Sequence, residues 1–224
     1  MDKRVDNLIK NWQRRNIQGI YCENKEIATQ KILEIIPTAS SIGISGSVTL
    51  DQLGIVKHLE SRESKVFNQY KSGISPDESL ELRRLGSFAD YYLASANAIS
   101  QEGELVFFSA YGNRIAGISS AKNAILVSGI NKITANLDEA VKRAREYATP
   151  LNCKRLNWNT PCFSRSTIFY SGGIPIVSGK DGICRKEICL FPEYKRMCCQ
   201  ILIIEAEITP ERLKVILVGE NLGF

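Results

Sequence analysis

The sequence predicts an α/β fold: a three-layer αβα sandwich around a mostly parallel sheet, with an irregular cysteine-rich excursion near the C-terminal end. Two observations predict it. Along residues 1–150, short apolar runs of strand length alternate with stretches whose apolar residues recur at helical spacing. Residues 151–200 then lose that rhythm and hold three prolines and six of the seven cysteines, before apolar runs return to the end of the chain. At 224 residues, 44% hydrophobic and 24% charged, the chain suits a single domain over 1–224, with a helical segment at 1–38 and the cysteine-rich segment at 151–200.

Val5, Leu8, Ile9 and Trp12 form an i, i+3, i+4, i+7 stripe, so the chain opens on an amphipathic helix that ends near Asn16. A short strand at 19–22 follows, and Asn24 then caps a helix that Pro37 stops. Residues 41–44 form a brief apolar strand. It runs into Ser45-Gly46-Ser47-Val48-Thr49 and a helix carrying Leu50, Leu53 and Leu59. Further strands are expected at 65–67, 90–94, 104–108 and 124–128. Helices are expected at 75–85, where Ser75-Pro76-Asp77-Glu78 reads as a capping box, and at 113–118 and 137–147. Residues 201–204 and 215–218 supply the last two strands.

Charge narrows the function. The net +5 is local, since residues 1–150 hold 19 Lys+Arg against 17 Asp+Glu while residues 151–200 hold 8 against 3. Eight positive charges over fifty residues make no dense basic stripe, so nucleic acid is not the expected partner. No apolar run reaches the roughly 18 residues of a membrane span. The start, MDKRVDNLIKNWQRR, carries charge throughout and no apolar signal core, so a cytoplasmic chain with reduced thiols is expected.

Ligands of open α/β sheets sit beyond the carboxyl ends of the strands, which directs attention to Ser45, Gly46, Ser47 and Thr49. Glycine there lets backbone approach a ligand, and hydroxyls and N–H groups are donors to an anion. The same residues also read as a plain strand-to-helix turn with Ser47 or Thr49 as the cap. The turn is neither a Walker loop nor a dinucleotide fingerprint, so no nucleotide cofactor motif is present. Asn97 leaves its strand among small residues. Gly112, Asn113 and Arg114 then offer a second backbone approach and a guanidinium able to grip a carboxylate or phosphate, unless Arg114 pairs with a surface carboxylate instead. The one histidine, His58, reads as a surface residue, which leaves proton work to carboxylates and thiols.

In order, the blocks GISGSVTLDQLGI, DYYLASANAISQEGELV, GNRIAGI, AILVSGINKITANLDEAVKRAREYATPLN, Thr160-Pro161-Cys162 and VILVGENLGF resemble the lactate-utilisation (LUD) domain family over most of residues 40–224. The resemblance implies a branch of the isomerase and CoA-transferase-like (NagB/RpiA) superfold, with substrate at the strand ends. It also implies an accessory or catalytic subunit of a lactate-type organic-acid oxidation system, with iron-sulfur and oxidoreductase partner subunits. Two departures stand out. Ser109-Ala110 replaces the family's Asp-Gly pair, and the cysteine block is stretched, so that Cys162 lies far from Cys184, Cys189 and Cys198. Those four thiols are the candidate ligands of a zinc ion or an iron-sulfur cluster, with Cys199 the spare because neighbours in a strand point to opposite faces. Reduced or reversibly oxidised thiols are the alternative.

Three readings follow for a small anionic metabolite at this site. The first is the organic-acid subunit. The second is a non-catalytic metabolite-binding or scaffold protein with a structural metal or redox-sensing thiols. The third is a sugar-phosphate isomerase or CoA-transferase-like enzyme, which would want Asp90, Glu102 or Glu104 in the pocket. The sequence does not choose between catalyst and binding protein.

Overall fold

A computed structural model describes residues 3–158, 160, 162, 168–171, 174–177 and 195–224. Helix α1 (Lys3–Arg14) buries the expected stripe of Val5, Leu8 and Trp12 and leads into β1 (Gln18–Cys22). Asn24 caps α2 (Lys25–Ile35) by accepting from the Ile27 N–H, and β2 (Ser41–Ile44) follows. The helix expected after it is two, α3 (Val48–Leu53) and α4 (Ile55–Glu60), because Gly54 adopts φ 65° and breaks the spiral between them. After β3 (Lys65–Phe67), Ser75 and Glu78 close a full capping box on α5 (Pro76–Gly86). Then come β4 (Tyr91–Ala94), β5 (Ala98–Ser100), β6 (Leu105–Ser109), α6 (Asn113–Ser120), β7 (Asn123–Gly129) and β8 (Ile133–Thr134).

The next helix, α7 (Leu137–Arg143), passes through a π-helical turn at Ala144–Ala148 into α8 (Thr149–Arg155). Pro150 lacks an N–H and crowds the preceding turn, which the wider loop accommodates while the Thr149 hydroxyl donates to the Ala144 carbonyl at 2.8 Å. Residues 151–200, expected to be irregular, in fact contain most of α8 and an antiparallel pair, β9 (Ile168–Ser171) with β10 (Ile174–Val177). Strands β11 (Gln200–Ile204) and β12 (Leu213–Val218) complete the order.

Six strands form one wholly parallel sheet in the order β1-β12-β7-β4-β2-β3. One face is covered by α2, α3 and α4, which pack Ile32, Leu50 and Leu59 against Ile42, Ile125 and Ile216. The other face receives Trp12 of α1, Ile118 of α6 and, from a second sheet, Leu105 and Phe107. That second sheet, β11-β6-β5-β8, was not foreseen as a separate layer. Every residue of β6 is buried, because the main sheet covers one face and Ala140 and Ala144 cover the other.

The topology places the site. The connection from β2 runs outward to β3, whereas the one from β4 runs the opposite way to β7, although β2 and β4 are neighbours. Their carboxyl ends therefore flank a switch point, where two loops part and leave a crevice.

Candidate functional site

Four parallel strands deliver residues to this crevice: Ser45 and Gly46 after β2, Ser95 to Asn97 after β4, Lys132 after β7, and Gly223 and Phe224 after β12. The space has two parts. An outer cleft of about 250 Å³ has Ser45, Gly46, Asn97, Asn113 and Arg114 on one wall and Tyr111, Asn152, Trp158 and Met197 among those facing them. An inner pocket of about 40 Å³ is lined by Ser47, Thr49, Ser95 and Lys132, and it shares Gly46, Asn97, Arg114 and Asn152 with the outer cleft.

Arg114 joins the two loops at the switch point. Its guanidinium donates to the Asn97 side-chain oxygen at 3.1 Å, the Phe108 carbonyl at 3.0 Å and the Gly46 carbonyl at 2.8 Å. Its Nε has no partner among the described residues. The expected meeting of Arg114 and Asn97 thus holds, and no carboxylate is among the partners of Arg114 in the described residues. Burial lowers its pKa. Asn97 is fixed from the other side, because its side-chain oxygen also accepts from the Phe108 N–H at 2.9 Å.

The strongest feature escaped the sequence reading. Lys132 is 3% exposed, and its ammonium donates to Thr49 Oγ1 at 2.9 Å, Ser95 Oγ at 2.8 Å and the Ala96 carbonyl at 3.1 Å. None of these oxygens carries a charge. Burial, reinforced by the nearby Arg143 and Arg114 guanidinium groups, pushes its pKa down to about 7. Arg143 adds a third cation, donating to the carbonyls of Asn97 at 2.6 Å and Asn131 at 3.1 Å and to a main-chain oxygen of Phe224 at 3.2 Å. The signal for Lys132 was present: a lone lysine three residues past the end of a buried strand, found by the same rule that singled out Asn97.

The β2 turn divides its labour. Ser47 is the cap of α3, accepting from the Leu50 N–H at 3.3 Å, as the plain-turn reading expected. The Gly46 N–H, expected to be open to a ligand, already donates to the Tyr70 hydroxyl at 3.0 Å, and a Cβ on Gly46 would lie 2.4 Å from that oxygen. Thr49 holds Lys132. Ser45 is 3% exposed, lines the outer cleft and leaves its hydroxyl without a partner. Asn113 lines the cleft while its carbonyl accepts from the Tyr92 hydroxyl. Gly112 serves the backbone, at φ 77°, where a Cβ would meet the Gln200 amide at 2.7 Å.

The carboxylates weighed for this pocket are elsewhere. Asp90 is bound by Ser41 and Lys122 at the start of β4, and Glu104 pairs with Arg15 and Ser100. Among the described residues that line the two compartments there is no Asp or Glu. His58 is exposed, as expected.

Of the four candidate metal ligands, Cys184 and Cys189 lie outside the described residues. Cys162 and Cys198 are both buried and Cys199 is exposed, but the last two precede β11 rather than lie in it, so strand alternation is not what separates them. Cys153, which was not among the four, is the thiol found beside Cys162, and the contact with Cys162, together with burial, raises its pKa. Thr160 Oγ1 lies 3.4 Å from the Cys162 sulfur. No group of three His, Cys, Asp or Glu among the described residues is arranged to hold a metal ion. No helix among them is long and apolar enough to cross a membrane.

A family model described as the LUD domain matches residues 5–218. No curated protein is matched. Among solved structures, the chain is similar to a DUF162 family protein from Deinococcus radiodurans, at 12% identity and a TM-score of 0.46 over 97% of this chain and 95% of that one. It is also similar to ribose 5-phosphate isomerase from Plasmodium falciparum, at 15% identity and a TM-score of 0.43 over 89% and 96% of the two chains. Ribose 5-phosphate isomerase A from Neisseria gonorrhoeae matches at 16% identity and a TM-score of 0.35 over 50% and 54%.

Proposed function

From the premise that the chain belongs to the LUD domain family, we propose that it binds a small organic anion of the lactate type in the crevice between β2 and β4, as a subunit of an organic-acid oxidation system. The family points to lactate utilisation. The observation that carries the site is the pairing of the buried Lys132 ammonium and the half-buried Arg114 guanidinium with neutral oxygens alone among the described residues. A buried charge without a counter-charge is costly, and a ligand carboxylate that enters the cleft supplies one. The carboxylate meets Arg114 and the unpartnered Ser45 hydroxyl, while Lys132 strengthens the field from behind.

The chain's own residues then bind and orient an acid. Removing a hydride or electrons from it requires a redox group, and the sequence carries no nucleotide fingerprint, so the oxidation is assigned to partner subunits. Calorimetric titration of L-lactate, pyruvate and inorganic phosphate tests the site. Saturable binding of at least one anion, weakened in Lys132→Met, is expected, and no binding of any of the three overturns the reading. Unaided turnover of lactate with a dye acceptor would remove the need for partners.

The isomerase-like alternative is disfavoured by the carboxylates, since Asp90 and Glu104 are engaged away from the cleft. Zinc or an iron-sulfur cluster on Cys162, Cys184, Cys189 and Cys198 remains a separate proposal. Four thiolates would hold either group, and metal analysis with a visible spectrum decides it: colour for iron-sulfur, colourless metal for zinc, and no metal against both.

A further inference from the structure

We infer that the acid this cleft prefers carries a planar apolar side group, so that its ligand class is the aromatic 2-hydroxy or 2-oxo acids rather than lactate itself. The inference rests on the anion site proposed above and concerns what lies beyond it. The two ends of the cleft differ in chemistry. The inner end offers hydroxyls, an amide and guanidinium and ammonium groups, enough for a carboxylate and its neighbouring oxygen. The outer end presents Tyr111, Leu156, Trp158 and Met197.

Two of these rings are held as a corner. Tyr111 and Trp158 stand edge to face, with centroids 5.9 Å apart and planes at 86°. The Arg83 guanidinium lies 4.6 Å from the Tyr111 centroid, and the Lys195 ammonium lies 5.6 Å from that of Trp158. Each cation steadies its ring. Tyr111 nevertheless remains 60% exposed, a large aromatic surface left in water at the rim of a cleft. A third ring entering this corner stacks on one partner and meets the edge of the other, both favoured geometries for aromatic groups, and removes that surface from water.

Size points the same way. At about 250 Å³ the outer cleft approaches the roughly 300–1,000 Å³ of pockets that enclose drug-sized ligands. A three-carbon acid seated on Arg114 leaves the Tyr111 and Trp158 corner wet, whereas an acid bearing a phenyl group spans both ends.

The test is the titration of 3-phenyllactate and lactate into the full chain, by calorimetry and by tryptophan emission. Emission reports on the corner because the other tryptophan, Trp12 of α1, is fully buried in the core and does not line the cleft. We expect 3-phenyllactate to bind at least about tenfold more tightly than lactate and to change the emission, and Tyr111→Ala to cut that preference to about threefold or less. Equal affinities, tighter binding of lactate, or a preference untouched by Tyr111→Ala overturns the aromatic class and leaves the anion site standing. Binding of neither acid overturns both.

Discussion

Strand β4 begins and ends in opposite electrostatic settings. At its start, Asp90 accepts from the Ser41 N–H and hydroxyl and pairs with Lys122 at 2.6 Å, and these bonds, that from Lys122 foremost, hold its carboxyl well below the usual carboxylate range. Along the same edge of the sheet, Arg15 pairs with Glu104 and Arg212 with Glu207. Beyond its other end, Lys132 is buried and Arg114 half-buried, yet their partners among the described residues are carbonyls, hydroxyls and one amide. One edge neutralises itself and is structural. At the other, Arg114 and Lys132 meet no carboxylate among the described residues, and the proposed anion site rests on that difference.

The largest test of that contrast sets Arg114→Met against Lys122→Met. Losing the guanidinium removes three hydrogen bonds, to the Gly46 and Phe108 carbonyls and the Asn97 side chain, so unfolding measurements should show a loss of about 2–4 kcal/mol together with the loss of anion binding. Lys122 is mostly exposed, and its replacement should leave the unfolding midpoint near that of the wild type and anion affinity unchanged. Comparable damage from both would erase the distinction between the edges.

Lys132→Met should separate stability from binding. Below neutral pH the ligand-free variant should gain about 1–3 kcal/mol, because an unpaired buried charge is gone, while anion affinity falls about 10- to 100-fold. A variant that is both less stable and equally avid would show Lys132 to be an ordinary structural lysine.

Titration sharpens the same point. With its pKa lowered from 10.5 to about 7, Lys132 in the folded chain has released a proton that the unfolded chain still binds. Between those values the unfolded state holds more protons, so the stability of the ligand-free chain rises with pH across this window and is lowest below it. Anion binding favours the ammonium, so affinity should fall over that window by up to about tenfold per pH unit. Denaturant midpoints and calorimetry at about pH 6, 8 and 9 check the opposed slopes, which should vanish in Lys132→Met. The smallest effect is expected of Ser45→Ala: affinity lower by about 2- to 5-fold, and stability within about 0.5 kcal/mol, since the hydroxyl has no protein partner to lose.

Much of this was legible in the residues, for definite reasons. Apolar runs at 41–44, 124–128 and 215–218 are too short for helices and bounded by turn residues, which made them strands, and small residues after β2 and β4 marked the places where a backbone can be approached closely. Arg114 and Asn97 were found by position. Lys132 was not, because a single lysine in Gly-Ile-Asn-Lys-Ile-Thr reads as a solvated loop residue until the return of Leu222 and Gly223 over it is known. Arg143 reads as the polar face of an amphipathic helix for the same reason: its partners, Asn97 and Asn131, are remote or unremarkable in sequence. The three-residue β5 and the β9-β10 pair are too short to carry a period of their own, and it is pairing that makes them strands.

The π-helical turn at Ala144–Ala148 sets a phase. Arg143 and Asn152 are nine residues apart, which on an uninterrupted α-helix, at about 100° per residue, places them on opposite sides. One surplus residue in the wide turn takes up about 100° of that and leaves them roughly 80° apart, so that both side chains reach the crevice: Arg143 at the Asn97 carbonyl and Asn152 on the cleft wall. The wall therefore depends on a count as much as on chemistry. Deleting Glu146 from that turn would remove no residue that lines either compartment, yet it would swing Asn152 and the helix beyond it out of step with the strand ends.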